Sequence, residues 1–242
     1  MSGTFVTPEL RAKVRGLMTP IAIGLGRLGL SPNALTVIGF LIACVAAVAA
    51  GAQAWLAAGL LVIFGGVFDL FDGALARATN RVSKAGAFMD STFDRWGEGV
   101  VYVGIVIGCL GGGFELGAVL ATAAMSSAFM VSYTRAKSEN LGFAPQTGMA
   151  NVGLAPREVR LVILTAGLVL AGIVGTPGAV NATTAMLSAS TVWSLPLGAE
   201  VTAPQAGQIW LFWSLLLIAV LATITTIQRI VATLRQAAAS DG

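Results

Sequence analysis

Four aspartates, at positions 69, 72, 90 and 94, stand together in the stretch DLFDGALARATNRVSKAGAFMDSTFD, in a chain whose charged content is only 10%. Asp69, Asp72, Gly73, Ala76 and Arg77 follow the i, i+3, i+4, i+7, i+8 spacing of one helical face. Phe71, Ala74, Leu75 and Ala78 fall on the opposite face, which suits packing. Gly86, Asp90 and Asp94 recur at four-residue intervals and share one face of a second helix. The short loop between, Thr79–Ala85, makes the two helices antiparallel, so the two acidic faces meet. Carboxylates so placed repel one another, and desolvation adds to the cost. Divalent cations would offset both. The chain has no histidine, and Cys44 and Cys109 lie on different apolar segments and read as packing residues. Oxygen-only ligands favour a hard ion, Mg2+ or Mn2+. Such an ion commonly completes its shell with substrate phosphates, which points to phosphoryl chemistry. Gly73, Ala76 and Gly86 leave room for a bulky ligand, and Arg77 offers phosphate a planar fork. Two other uses of these acids stay open. They could pair with Arg77, Arg81, Lys84 and Arg95 at a membrane surface, or mark the path of a transported proton or cation. The small residues on the acidic faces weigh against the first, and clustering at one membrane edge weighs against the second.

The rest of the chain says what holds these faces. Of 242 residues 56% are apolar, and the mean hydropathy is +0.85. Too few polar residues remain to coat a soluble bundle. Apolar runs of roughly 20 residues, about the length that crosses a bilayer, recur at Asn33–Gly51, Ala54–Phe68 continuing into the acidic stretch, Gly86–Gly111, Leu116–Tyr133, Leu161–Gly175 and Gly207–Ile227. The expected fold is therefore all-α: residues 31–235 form a bundle of six transmembrane helices, and residues 236–242 a tail. Residues 1–30 carry an interfacial amphipathic helix, Pro8–Leu30, whose Arg11, Lys13, Arg15 and Arg27 turn toward lipid headgroups. Gly29 and the Ser31-Pro32 pair end it, and Ser31 or Asn33 caps the first span. MSGTFVTPELRAKVRG has no apolar core and reads as carrying no signal peptide. With both termini cytoplasmic, all fourteen Lys and Arg residues fall on or near that side. The opposite turns Gly51–Gln53 and Gly112–Glu115 contain none, nor does the outer loop Thr176–Ala206 with its short interfacial pieces around Trp193. The net charge of +3 thus belongs to a rim facing anionic lipid, and no nucleic-acid partner is expected.

The acidic stretch resembles the signature of the CDP-alcohol phosphotransferases, D-x2-D-G-x2-A-R-x8-G-x3-D-x3-D. Every fixed position is present: Asp69, Asp72, Gly73, Ala76, Arg77, Gly86, Asp90 and Asp94. The resemblance implies a six-helix membrane enzyme in which an alcohol attacks the β-phosphorus of a CDP-linked lipid and displaces CMP. It implies that Asp69, Asp72 and Asp90 hold a pair of metal ions with Asp94 contributing, and that Asp94 is the general base. It also implies that Gly73, Arg77 and Ser83 contact the CDP group. SPNALT resembles the family's nucleotide-contacting segment and implicates Asn33, Ala34, Leu35 and Thr36 in binding the CDP-lipid.

TPIAIGLGRLGLSPNALTVIG, DSTFDR and SYTRAK look most like the prokaryotic phosphatidylinositol-phosphate synthases, which implies CDP-diacylglycerol as donor and inositol phosphate as acceptor. In that group a basic pocket from the fourth and fifth spans receives the acceptor's phosphate. Here Arg135 and Lys137 end the fourth and Arg157 and Arg160 begin the fifth, the last two on one face. The same cations also satisfy plain topology. The group's R-P-E-R pattern stands here as PREVR, and GFAPQTGMANVGLA before it lacks the group's acidic residue. A glycerol 3-phosphate-accepting relative is the alternative, although its members place proline where Ser91 stands. The resemblance further implies a homodimer in the cell membrane, its cytoplasm-facing site open sideways to lipid.

Overall fold

The computed structural model describes residues 8–143, 152–175, 193–194, 200–201 and 207–240. Seven helices carry nearly all of these: α1 (Pro8–Arg27), α2 (Pro32–Gly51), α3 (Trp55–Ala78), α4 (Lys84–Gly111), α5 (Glu115–Asn140), α6 (Arg157–Val174) and α7 (Gln208–Ser240). Each of the six expected apolar segments falls on one of α2 to α7. Among the described residues, α2, α3, α5 and α7 are long and apolar enough to cross a membrane. The other two fall short because they carry charge. Asp90, Asp94, Arg95 and Glu98 occupy the first part of α4, and α6 opens with Arg157, Glu158 and Arg160. One feature departs from all-α: Trp193–Ser194 pairs antiparallel with Glu200–Val201 inside the expected outer loop. The rest of Thr176–Ala206 lies outside the described residues, as do 144–151 and the side chains of Arg11, Lys13 and Arg15.

Local chemistry sets the helix ends. Ser31 caps α2 by accepting the Ala34 N–H at 3.1 Å, and Pro32 sits in the first turn, where its missing N–H costs nothing. Gly29, at φ +91°, makes the turn out of α1, which therefore stops at Arg27, short of the expected Leu30. Ser83 caps α4 by accepting the Gly86 N–H at 3.0 Å. The α3–α4 turn passes through Asn80 at φ 53°, a conformation asparagine tolerates well. Ala85, expected in the loop, already belongs to α4.

Helix α2 packs on both α3 and α4, α5 runs along α7, α6 lies between α3 and α7, and α1 rests on α3. Small residues bring backbones close: a methyl group on Gly104 or Gly108 would run into the carbonyl groups of Ala47 and Ala50 on α2. The main core joins Ala50, Ala121, Leu164 and Leu215, with Cys109 buried among them. Ala22 of α1 packs with Leu35, Phe71, Ala74 and Leu75. The α3 face opposite the acids is thus the packing face, apart from Ala78, which is exposed. On the outside of α2, Leu41 and Val45 are 55% exposed and Val48 73%, an apolar surface suited to lipid.

Candidate active site

The last turns of α3 and the first turns of α4 bring three carboxylates together. Asp69, Asp72 and Asp90 each offer an oxygen within 4.8 Å of the others. Asp72 is buried, and Thr36 on α2 donates its hydroxyl to Asp72 Oδ2 at 2.6 Å, a short charge-assisted bond that holds the carboxylate in orientation. Two helices thus aim acids at one point and a third steadies one of them. This oxygen-only donor set suits Mg2+ or Mn2+.

Asp94 stands one helical turn beyond Asp90, outside that trio and joined to it through an arginine. Arg157 Nη1, at the start of α6, donates to Asp69 Oδ2 at 2.9 Å and to Asp94 Oδ2 at 2.7 Å. Arg95 Nη1 reaches the same Asp94 oxygen at 3.4 Å while donating to the Ser91 carbonyl at 2.8 Å. Asp94 keeps 14% of its side chain exposed. It is a carboxylate held by cations at the edge of an acidic centre.

The residues expected to contact CDP divide into those around the centre and one in the core. Arg77 folds back over Gly73, so that a side chain at 73 would meet Nη1 at 3.2 Å. At Gly86 a Cβ would stand 3.1 Å from Ser83 Oγ and 3.4 Å from Asn33 Oδ1. Asn33, Ser83 and Gly86 therefore form one corner where α2 and α4 begin. Ala34 gives its N–H to the Ser31 cap. Leu35 is the one in the core: its side chain is fully buried against α1 and α3. Thr36 reaches the centre by holding Asp72.

The basic residues divide as well. Arg160 is only 1% exposed. Its Nε and Nη2 donate to the two oxygens of Glu98 on α4, at 3.0 and 2.8 Å, and Nη1 donates to the Ala155 carbonyl at 3.1 Å. Three-residue spacing puts both arginines on one face of α6, and both reach α4 from it. It does not follow that both reach a phosphate: one helical turn carries Arg160 past the acidic centre into a buried ion pair. Arg135 pairs with Glu139 at 3.0 Å, and Lys137 is exposed at the end of α5.

Three residues escaped the sequence reading. Glu98 continues the Gly86–Asp90–Asp94 interval by one more step, a signal that could have found it. Arg229 of α7 donates to the Val131 and Val152 carbonyls and ties α5 to the segment before α6. Thr225 accepts the N–H groups of Leu154 and Ala155 at 3.0 and 2.9 Å, and no spacing pattern announces it.

A cleft between α2, α3, α4 and α6 is lined by Asp69, Asp94, Glu98 and Arg157 together with Phe40, Val62, Gly65, Val101 and Leu164. Charged and apolar walls in one cleft suit an amphiphile whose head carries phosphate. Known proteins agree with that chemistry. The chain is 38% identical over 156 residues to the archaetidylinositol phosphate synthase of Pyrococcus horikoshii, covering 64% of this chain and 78% of that one. It is 32% identical over 209 residues to the phosphatidylinositol phosphate synthase of Mycobacteroides abscessus, covering 85% and 86%. The crystal structure of Mycobacterium tuberculosis phosphatidylinositol phosphate synthase with CDP-DAG bound superposes with a TM-score of 0.69 at 25% identity, over 89% of this chain and 92% of that one. The same enzyme with manganese and citrate gives 0.68, also at 25% identity, over 89% and 88%. Residues 29–232, from the turn ahead of α2 to the last turns of α7, match the CDP-alcohol phosphatidyltransferase profile, and the chain belongs to that family.

Proposed function

We propose that the protein transfers the phosphatidyl group of CDP-diacylglycerol to a hydroxyl of inositol phosphate, releasing CMP and forming phosphatidylinositol phosphate. The observation that carries this reading is the meeting of Asp69, Asp72 and Asp90 beside Asp94 and Arg157, the last two in the lining of a cleft with apolar walls. Asp69, Asp72 and Asp90 would hold Mg2+ or Mn2+, with Asp94 contributing to a second ion. When bound, the ions neutralise charge on the diphosphate and on the leaving CMP. Thr36 keeps Asp72 aimed at the centre. Arg77, Gly73, Ser83 and Asn33 receive the CDP group, and the apolar cleft lets the acyl chains stay in lipid. Asp94 takes the proton of the attacking hydroxyl. Arg157 receives the acceptor's phosphate, with Arg135 and Lys137 nearer the surface.

In this reading α2 to α7 span the cell membrane six times, residues 1–30 lie in the interface, both termini and the site face the cytoplasm, and two copies form a homodimer. Inositol phosphate is favoured over glycerol 3-phosphate by the relatives, which are named archaetidylinositol phosphate synthase and phosphatidylinositol phosphate synthase. Purified protein is incubated with CDP-diacylglycerol, Mg2+ and each radiolabelled acceptor separately, and the lipid product is identified. Labelled phosphatidylinositol phosphate supports the reading. A product from glycerol 3-phosphate alone would keep the chemistry and overturn the acceptor.

A further inference from the structure

Arg157 is tied to the acids rather than turned to open solvent. One nitrogen, Nη1, takes Oδ2 of Asp69 and Oδ2 of Asp94 together. A carboxylate oxygen held by a guanidinium is less available to a metal ion, and a cation arriving beside Asp69 meets the positive charge of Arg157 at close range. The Arg157 Nε is buried with no hydrogen-bond partner, so the position that satisfies the acids leaves one donor of the same side chain unmade.

The backbone beneath this side chain is firmly held. Thr225 accepts two N–H groups from residues 154 and 155, Arg229 grips the Val152 carbonyl, and Arg160 locks the same turn of α6 to Glu98. Arg157 can therefore exchange partners by side-chain rotation alone, with α6 in place.

We propose that Arg157 is a built-in counter-ion that competes with the divalent cation for Asp69 and Asp94 and passes to the acceptor's phosphate when the cation binds. The acids and the phosphate then share one arginine, and each cation bound at Asp69 makes the acceptor site more available. Linkage requires the converse: acceptor phosphate, by drawing Arg157 away, tightens cation binding by the same factor. This inference rests on the metal and acceptor reading above.

The test is Mn2+ binding, followed by electron paramagnetic resonance on the full chain in detergent without CDP-lipid. Arg157→Gln is expected to bind Mn2+ at least ~10-fold more tightly than wild type, the value of one charge-assisted hydrogen bond. Arg95→Gln, which removes a cation lying against the same Asp94 but 3.4 Å away, is expected to change the affinity far less. Wild type titrated with inositol 1-phosphate needs no substitution: its Mn2+ affinity should rise, and in Arg157→Gln that rise should vanish. Unchanged or weaker Mn2+ binding in Arg157→Gln would overturn the counter-ion role, as would an equal gain in Arg95→Gln, which would reduce the effect to general charge. Failure of wild type and variants alike to bind Mn2+ would bring down the metal reading itself, and this inference with it.

Discussion

The Glu98–Arg160 pair offers the sharpest separation of scaffold from chemistry. Its two hydrogen bonds measure 3.0 and 2.8 Å, and the side chains are 1% and 5% exposed. Glu98→Gln keeps the shape and removes the charge, leaving Arg160 cationic in a bundle with no water to solvate it. Removing one partner of a buried pair costs about 3–5 kcal/mol. Replacing both with apolar residues of similar volume, as in Glu98→Leu with Arg160→Met, removes the stranded charge and should recover much of that loss. The assay is unfolding of purified protein in a mixed-micelle denaturant series, with steady-state kinetics on whatever remains folded. The expected result is a large loss in each single variant and a double variant closer to wild type. Single variants as stable as wild type would refute the reasoning. So would folded Arg160 variants whose only defect was a raised KM for the acceptor, which would return Arg160 to the phosphate-binding role that its burial denies it.

Chelation should abolish turnover, and Mg2+ or Mn2+ should restore it; full activity in EDTA would leave the three convergent acids as mere ion-pair partners. Asp94→Asn should lower turnover by at least ~10²-fold while CDP-lipid binding survives, whereas Asp69→Asn should weaken the binding of metal and donor together. Thr36→Val removes the hydroxyl that steadies Asp72 and should weaken Mn2+ binding by about 10- to 100-fold with little change in fold, read by metal titration and thermal melting. Arg157→Ala should raise the KM for inositol phosphate by roughly 10- to 150-fold while leaving that for CDP-diacylglycerol nearly unchanged.

The acidic centre was legible in the sequence because its residues repeat at helical intervals on two helices joined by a short turn. Spacing alone puts Asp69 beside Asp72 and Asp90 beside Asp94, and the turn makes the two faces meet. The packing face of α3 was legible for the same reason, and so were the six apolar segments, since a run of small and branched residues has few other uses. What spacing cannot supply is the height of one helix against another. Arg157 and Arg160 differ by about 4.5 Å along α6. Whether that step leaves both at a phosphate or sends one into the bundle depends on how far α6 is pushed in beside α4. That depth is set by contacts distant in sequence: Thr225 and Arg229 of α7 holding the segment before α6, and Glu98 taking Arg160. The burial of the Leu35 side chain was hidden for a related reason, because a motif names positions and only the lie of α1 over α3 decides which of them is covered.

These two kinds of residue are built for opposite demands. A charge buried in the bundle needs partners, and Arg160, only 1% exposed, is held by a bidentate acid and a carbonyl, which keeps it away from a substrate. Groups that must exchange partners during a reaction cannot be so complete. Asp94 stays partly exposed, and Arg157 keeps an unpartnered Nε. One turn of α6 therefore carries both an anchor and a hand. The anchor's rigidity makes the hand useful, because side-chain rotation at Arg157 can alter the site only if the helix beneath it does not move. Loosening the anchor should accordingly impair catalysis at a distance. Thr225→Val, which removes the acceptor for the Leu154 and Ala155 N–H groups, is expected to raise the acceptor KM without touching the acceptor, and to leave the Mn2+ affinity within a few-fold of wild type. An acceptor KM unchanged in folded Thr225→Val would show that Arg157 finds its place without that support.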